Sequence, residues 1–235
     1  MPPFIFIEIS KTGAPFVFGC TPTSDKIPSP GAFAAIGVFS AMKVVSQYLY
    51  NQETFKNKVI LVQGIGNVGE RLIYYLHKCG ANVIICDTNS QRVQYYSKKL
   101  NIQSISPDEV YKTPCDIFSP CAIGGILNKK SIPLLRCKAI VGAANSQLAN
   151  IEDERMLFEK RILYAPDYVV NVGEAMADLG VFDHGWTWEQ AKNEVDSRIK
   201  RNLEKLINIA ENDKVSLEKA AQKIVKQKLQ LVSKF

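Results

Sequence analysis

Histidine is scarce in this sequence of 235 residues, and no two cysteines have the CxxC spacing that is typical of zinc sites and redox motifs. We expect His77 to lie on an exposed helix face and His184 to lie in a turn. The six cysteines are Cys20, Cys79, Cys86, Cys115, Cys121 and Cys137. Several lie inside apolar segments, where a free thiol packs as a small hydrophobic group. We therefore expect neither a metal site nor a disulfide framework.

The sequence also has no apolar run that we would expect to span a membrane, and its start, MPPFIFIEIS, lacks the basic residues and cleavage site of a signal peptide. We expect a cytoplasmic protein without membrane contact. The net charge of +6 is spread along the chain, and its densest basic group lies on one side of an amphipathic C-terminal helix. Nothing resembles a nucleic-acid-binding module, so we expect no nucleic-acid partner.

What the sequence does contain is a glycine fingerprint in the stretch VILVQGIGNVGERLIYYLHKCGANVIICD, residues 59–87. A short apolar run indicates a buried parallel strand. Gly64 permits a tight turn, Gly66 allows a pyrophosphate to approach the backbone, and Gly69 lets the next helix pack closely on the strand. The N-terminus of that helix would bind the phosphates.

A carboxylate follows at the distance that a dinucleotide site requires. Asp87 lies 18 residues beyond Gly69, at the end of a second apolar run, where it can accept hydrogen bonds from the adenosine ribose. Its charge would repel a 2′-phosphate and favours NAD over NADP, although Arg92 nearby could soften that preference. The alternative is a glycine turn that only joins a strand to a helix.

The rest of the sequence continues an alternation of strands and helices. A long helix is predicted from about residue 32 to 50, further strands in CDIFSP, KAIVGAA and ILYAPD, and two helices near 188–210 and 216–231. This order predicts an α/β fold, a Rossmann-type doubly wound parallel sheet with flanking and C-terminal helices. We assign residues 31–235 to this dinucleotide-binding domain. Residues 1–30 form an expected N-terminal strand and connector, a remnant of or replacement for a catalytic domain.

Small and polar residues collect after three of the predicted strands, in PCAIGG (120–125), GAANSQ (142–147) and APDYVVN (165–171). Ligands of open parallel sheets bind beyond the carboxyl ends of the strands. These loops should therefore line one crevice with Gly66, where small residues would admit the nicotinamide half and Asn145 could bind its ribose or carboxamide.

Three blocks, VQGIGNVGERL, CDIFSPCAIGGILNKKSIPLL with AIVGAANSQL, and ILYAPDYVVNVG, resemble the C-terminal, NAD-binding half of the leucine, phenylalanine and valine dehydrogenases, relatives of glutamate dehydrogenase. The likeness covers roughly residues 28–230. It implies oxidative deamination of an L-amino acid to a 2-oxo acid with reduction of NAD. It also implies a cofactor site with pyrophosphate contacts from Gly64, Gly66, Asn67, Val68 and Gly69, ribose contacts from Asp87 and Thr88, and a nicotinamide side formed by Cys121, Ala122, Ile123, Ala144 and Asn145.

The same resemblance implies catalytic lysines in an N-terminal domain, one of them in a Gly-Gly-x-Lys stretch, and this sequence contains no such stretch. Three positions near the expected substrate also differ from the family. Ala34 falls where a threonine is expected, Ser146 where an asparagine binds the substrate carboxylate, and Glu174 where a glycine follows Asn171. Glu174 would crowd or recharge an amino-acid side-chain pocket.

These observations leave three hypotheses, and none of them assigns a catalytic residue in this chain. The first is the NAD-binding portion of an amino-acid dehydrogenase that needs a separate catalytic-domain chain or lobe. The second is a non-catalytic NAD-binding or interaction protein. The third is different chemistry on the same scaffold, with Glu174 or Asp167 as an acid–base group.

Overall fold

The structure is a computed structural model, and it describes residues 31–232. The predicted N-terminal strand and connector of residues 1–30 and the last three residues lie outside the described residues.

Six parallel strands form one sheet in the order β3-β2-β1-β4-β5-β6. Their bounds are β1 Val59–Gln63, β2 Asn82–Cys86, β3 Gln103–Ser104, β4 Ile117–Pro120, β5 Ala139–Ile140 and β6 Leu163–Tyr164. Ile60 of β1 pairs with Val83 of β2 on one side and with Ile117 of β4 on the other. The strand order reverses at β1, which makes the space above β1 and β4 the topological switch point of a doubly wound sheet. The predicted fold class is confirmed.

Eight α-helices accompany the sheet in the described part of the chain. They are α1 Ala32–Tyr50, α2 Gly69–Lys78, α3 Ser90–Leu100, α4 Asp153–Glu159, α5 Asp167–Val170, α6 Gly173–His184, α7 Trp188–Asp213 and α8 Leu217–Val232. Short 3₁₀ turns occupy Pro107–Glu109 and Ile132–Leu134. The helix predicted from residue 32 to 50 is confirmed, and the two C-terminal helices extend slightly beyond their predicted ends.

The core lies on both faces of the sheet because side chains alternate along each strand. On one face, Ile60 and Val62 pack with α1, α2 and α7. On the other, Leu61 and Phe118 pack with Leu157 of α4 and the segment around Ile132. Two buried faces explain why the strand sequences are continuous apolar runs rather than alternating ones.

One expectation about apolar length is wrong. Helix α1 is long and apolar enough to cross a membrane by length and composition alone, with a mean hydropathy of 1.4. However, 61% of this segment is buried inside the protein, chiefly against α7. A core helix of this kind is apolar around much of its circumference because other helices and the sheet cover it.

Two elements had no clear sequence signal. Strand β3 has only two residues, both exposed, and forms the edge of the sheet beside β2. Helix α6 contains Gly173 and Gly180, which lower helix propensity. Gly180 is nevertheless required by packing, because a Cβ there would lie 1.9 Å from an atom of the Trp186 ring.

Candidate dinucleotide site

The glycine turn after β1 has two tightly packed positions and one open position. Gly64 has a φ of +96°, and a Cβ on it would lie 2.9 Å from Ala122. A Cβ on Gly69 would lie 2.0 Å from the Gly64 carbonyl oxygen, so α2 starts directly against the turn. A Cβ on Gly66 would meet no atom within 4 Å. The open side of the turn lies at the N-terminus of α2, whose first N–H groups have no acceptor within the helix.

Asp87 connects the end of β2 to this turn. One carboxylate oxygen accepts a hydrogen bond from the Ile65 N–H at 2.6 Å, and the other accepts from the Asn89 N–H at 2.7 Å. The side chain is half-buried, and Thr88 beside it is exposed. Each carboxylate oxygen can accept a further hydrogen bond, so Asp87 can hold the turn and still bind a ribose hydroxyl.

The loop after β4 packs over the glycine turn. The Cys121 N–H donates to the Gln63 carbonyl oxygen at 2.7 Å, and Ala122 lies against Gly64. Burial raises the pKa of the Cys121 thiol, and its weak contact with the Ser119 hydroxyl opposes that shift only in part. Cys121 therefore stays a neutral thiol and serves as a small apolar wall. Ile123, further along, is 70% exposed.

The loops after β5 and β6 join this arrangement through main-chain hydrogen bonds. Gly125 N–H donates to the Ser146 carbonyl oxygen at 2.7 Å, and a Cβ on Gly124 would lie 2.5 Å from the Asn145 carbonyl oxygen. The Asn171 amide donates to the Asn145 side chain at 2.7 Å. The Ser146 N–H donates to the Asp167 carboxylate, which stabilises Ser146 at a left-handed φ of 50°. The structure thus brings the three predicted loops together.

Glu174 is the position whose role was least apparent from the sequence. Its carboxylate accepts hydrogen bonds from the Phe33 and Ala34 N–H groups at 3.1 and 3.3 Å, which caps the N-terminus of α1. Gly31, just before α1, lies against Asn67 and Val68 of the glycine turn. The carboxylate is therefore held by backbone donors next to the candidate site, rather than directed freely into it.

Gln147 is a site residue that the sequence analysis did not single out. It is fully buried, and its amide donates to the carbonyl oxygens of Gly142 and Ala144 at 3.0 Å each. These bonds fix the loop after β5, and they leave Ala144 buried while Asn145 and Ser146 are exposed. The sequence signal that could have identified Gln147 is its position directly after Asn145 and Ser146.

Comparison with known proteins decides the family. The profile of a family described as Glutamate/Leucine/Phenylalanine/Valine dehydrogenase matches residues 86–233. The chain belongs to this dehydrogenase family. Leucine dehydrogenase from Geobacillus stearothermophilus is 33% identical over 221 residues, which cover 93% of this chain and 59% of that protein. Phenylalanine dehydrogenase from Lysinibacillus sphaericus is 40% identical over 144 residues, 59% of this chain and 38% of that protein.

Solved structures show the same relationship. The crystal structure of L-tryptophan dehydrogenase from Nostoc punctiforme superposes with a TM-score of 0.82 at 31% identity, covering 88% of this chain and 61% of that one. A hetero-hexameric glutamate dehydrogenase from Thermus thermophilus has a TM-score of 0.72 at 20% identity, which shows a common fold. This dehydrogenase homologue therefore spans about 60% of the length of the curated leucine dehydrogenases it matches.

Proposed function

We propose that the crevice above β1 and β4 binds NAD. The observation that carries this proposal is the contrast within the glycine turn: Gly64 and Gly69 face protein atoms, whereas Gly66 faces open space beside the N-terminus of α2. A turn that only joined a strand to a helix would need no open glycine at this position. The backbone N–H groups near Asn67 and Val68 would bind the pyrophosphate.

The preference for NAD over NADP rests on two charged groups. Asp87 would accept hydrogen bonds from the adenosine ribose hydroxyls and repel a 2′-phosphate. Arg92, the residue that could have softened this preference, forms an ion pair with Glu70 at 3.8 Å. Tyr96 donates to the same Glu70 carboxylate at 2.8 Å. Arg92 is therefore partly engaged away from Asp87.

We further propose that this chain is the cofactor-binding half of an amino-acid dehydrogenase, which deaminates an L-amino acid to a 2-oxo acid. NAD, when bound, would supply the hydride acceptor. Cys121, Ala122 and Ala144 would exclude water from the nicotinamide side, and Asn145, held by Asn171, would orient the ring. By the family resemblance, two lysines of a catalytic lobe would complete the site. One, in a Gly-Gly-x-Lys stretch that the 235 residues do not contain, would orient the substrate carboxylate, and the second would be the general base.

A second candidate is a non-catalytic NAD-binding protein. The observation that favours it is Glu174, whose carboxylate caps α1 beside the glycine turn. A negative charge there would disfavour the carboxylate of an amino-acid substrate close to it. Under this second candidate, the site binds the cofactor but no amino acid. The three positions that differ from the family, Ala34, Ser146 and Glu174, would be consistent with that loss.

Calorimetric titration of the purified chain with NAD and NADP tests cofactor binding. We expect NAD to bind more tightly than NADP, and Asp87→Asn to weaken NAD by about 10-fold or more, since a hydrogen bond to a charged group contributes about 1.5–3 kcal/mol. Asparagine keeps one oxygen that can accept from the Ile65 N–H, but it loses the second acceptor, which the Asn89 N–H uses. Thermal unfolding therefore checks that this variant remains folded. Glu204→Ala, an exposed carboxylate change on α7, is the control. Equal affinity of the wild type and Asp87→Asn for NAD would remove the basis of this proposal.

Absorbance at the NADH band, with a panel of L-amino acids, distinguishes the two candidates. We expect no turnover from this chain alone, and turnover when a lobe with the lysine motif is added. NAD binding without turnover in every such mixture would favour the non-catalytic protein. Turnover by the chain alone would instead reveal a base among its own residues.

A further inference from the structure

A large hollow lies at the β6 edge of the sheet and is lined by none of the residues assigned to NAD. It has a volume of about 490 Å³ and lies between α4, β6, the C-terminal part of α1 and the connection from α7 to α8. This volume is within the range of small-molecule sites. Its lining includes Leu49, Leu157, Ile162, Ile207, Ala210 and Leu217.

Most of this lining is apolar. Leu157 and Leu217 are buried in its walls, and Phe158 and Tyr48 stand at the rim with 47% and 41% of their surfaces exposed. A hollow of this kind would take a ligand with an alkyl or aryl body, because contact with the walls would remove apolar surface from water on both sides.

One buried carboxylate lies in the wall. Glu154, in the first turn of α4, is only 5% exposed, and it lines both this hollow and an adjoining one. Among residues 31–232 its side chain accepts no hydrogen bond and forms no ion pair. Its carboxylate oxygens are not among the fully enclosed side-chain atoms that lack a partner, so they keep accessible surface. A carboxylate placed in this way can accept hydrogen bonds from a ligand that carries donors.

The charged side chains around Glu154 have other partners or do not pair with it. Glu159 of the same helix pairs with Arg155 at 2.7 Å, and the buried Glu218 accepts from the Tyr168 hydroxyl at 3.0 Å. Arg161 and Lys214 also line the hollow, but neither forms an ion pair with Glu154 within the described part of the chain. The other charged residues of the lining are exposed: Glu159, Arg161, Glu211 and Lys214. Glu154 is therefore the buried charge in this wall.

We propose that this hollow, here called the β6-edge pocket, binds an organic ammonium ion with an apolar body. The ammonium group would lie against Glu154 and donate hydrogen bonds to its carboxylate, and the alkyl or aryl part would extend along Leu157 and Ile162. The proposal does not depend on NAD binding, since the two sites share no residue.

The test is an NMR titration of the 235-residue chain at neutral pH with n-hexylammonium and with 1-hexanol, a neutral molecule of the same length. We expect saturable shifts of the amides near Glu154 and Leu157, and binding of hexylammonium at least ten-fold tighter than that of hexanol. Glu154→Gln should reduce hexylammonium to the affinity of hexanol. Glu189→Gln, a matched change at an exposed position of α7 that does not line the pocket, should leave the ten-fold difference unchanged.

Equal affinity for the amine and the alcohol, or an unchanged difference in Glu154→Gln, would overturn the proposal, as would shifts located away from this pocket. Thermal unfolding checks that Glu154→Gln remains folded. A second variant, Val215→Phe, narrows the pocket from its wall and should weaken both ligands alike. Unchanged binding of both ligands to Val215→Phe would also contradict the assignment. NAD titration of each variant should match the wild type.

Discussion

At the scale of single residues, Glu174 shows how one substitution changes its neighbourhood. Where the family resemblance implies glycine, the carboxylate accepts two backbone hydrogen bonds at the start of α1. Burial raises the pKa of Glu174 above its ordinary value, and the N–H groups of Ala34, Gly31 and Phe33 only partly oppose the shift. The Glu174 carboxyl group of the folded protein therefore binds its proton more tightly than the same group does in the unfolded chain.

This direction predicts a pH dependence of stability. Because the folded pKa is raised, the free energy of unfolding falls as the pH rises from about 4.5 through the folded value. Glu174→Gln removes the titration, so its stability relative to the wild type should increase as the pH rises above about 4.5. Urea unfolding at several pH values measures this, with Glu189→Gln as an exposed control. Parallel curves for wild type and Glu174→Gln would contradict the assignment.

Ser146 carries local backbone strain, because its φ of 50° lies in the left-handed region. Asparagine tolerates this region better than serine does, and the left-handed conformation costs other residues about 1–2 kcal/mol. We expect Ser146→Asn to stabilise the protein by about 0.5 kcal/mol. Ser197→Asn in the exposed face of α7 should give no gain. Urea midpoints compare the two variants, and a loss of stability in Ser146→Asn would argue against strain at this position.

At the scale of elements, the β1–turn–α2 unit separates packing from binding. Gly69 and Gly66 are three residues apart in one turn, yet a Cβ at the first would meet the Gly64 backbone and a Cβ at the second would meet nothing. The same substitution at the two positions should therefore have different effects.

We expect Gly69→Ala to displace α2 and to lower the free energy of unfolding by about 1–3 kcal/mol, the usual range for overpacking. Gly66→Ala should leave stability nearly unchanged but weaken NAD by about 10-fold or more, because the methyl group would occupy the approach of the pyrophosphate. Chemical unfolding and calorimetry measure the two effects. Normal NAD affinity of Gly66→Ala would show that the phosphates lie elsewhere.

At the scale of the whole molecule, Asp116 joins distant parts of the sequence. Its carboxylate accepts from the Tyr50 hydroxyl at 2.6 Å and the Val59 N–H at 2.9 Å, and pairs with Lys138 at 3.2 Å. It thereby connects the end of α1 with the start of β1 and the segment before β5. Lys58 also lies over the Tyr50 ring, 3.6 Å from its centroid.

Burial alone would raise the pKa of Asp116, but the hydrogen bonds from Tyr50, Val59 and Lys138 outweigh it and lower the pKa. Its contribution is therefore present at neutral pH and is lost as the pH falls below about 4. We expect Asp116→Asn to destabilise the protein by about 1.5–3 kcal/mol at neutral pH and by less in acid. Unfolding curves across this range, with Asp108→Asn as the exposed control, provide the test. A difference that persists unchanged in acid would be inconsistent with this network.

Much of the fold could be predicted from the sequence because its signals are local. Each signal depends only on residues that are close in the sequence. The signals are the apolar runs, the spacing of Gly64, Gly66 and Gly69, and the helical periodicity of α1 and α7. The short edge strand β3 and the glycine-containing α6 were missed because pairing and packing with other segments stabilise them, not their own propensity. The contact between Gly180 and the Trp186 ring illustrates this dependence.

The sequence by itself determined the parallel α/β class, the glycine turn, the acid that follows it and the resemblance to the dehydrogenase family. Only the tertiary structure decided the partners of those groups: Asp87 with the Ile65 N–H, Glu174 with the start of α1, and Glu154 in the wall of the β6-edge pocket without a partner among the described residues. The physical reason is that a backbone turn depends on neighbouring residues, whereas the environment of a charge depends on which distant segments pack around it.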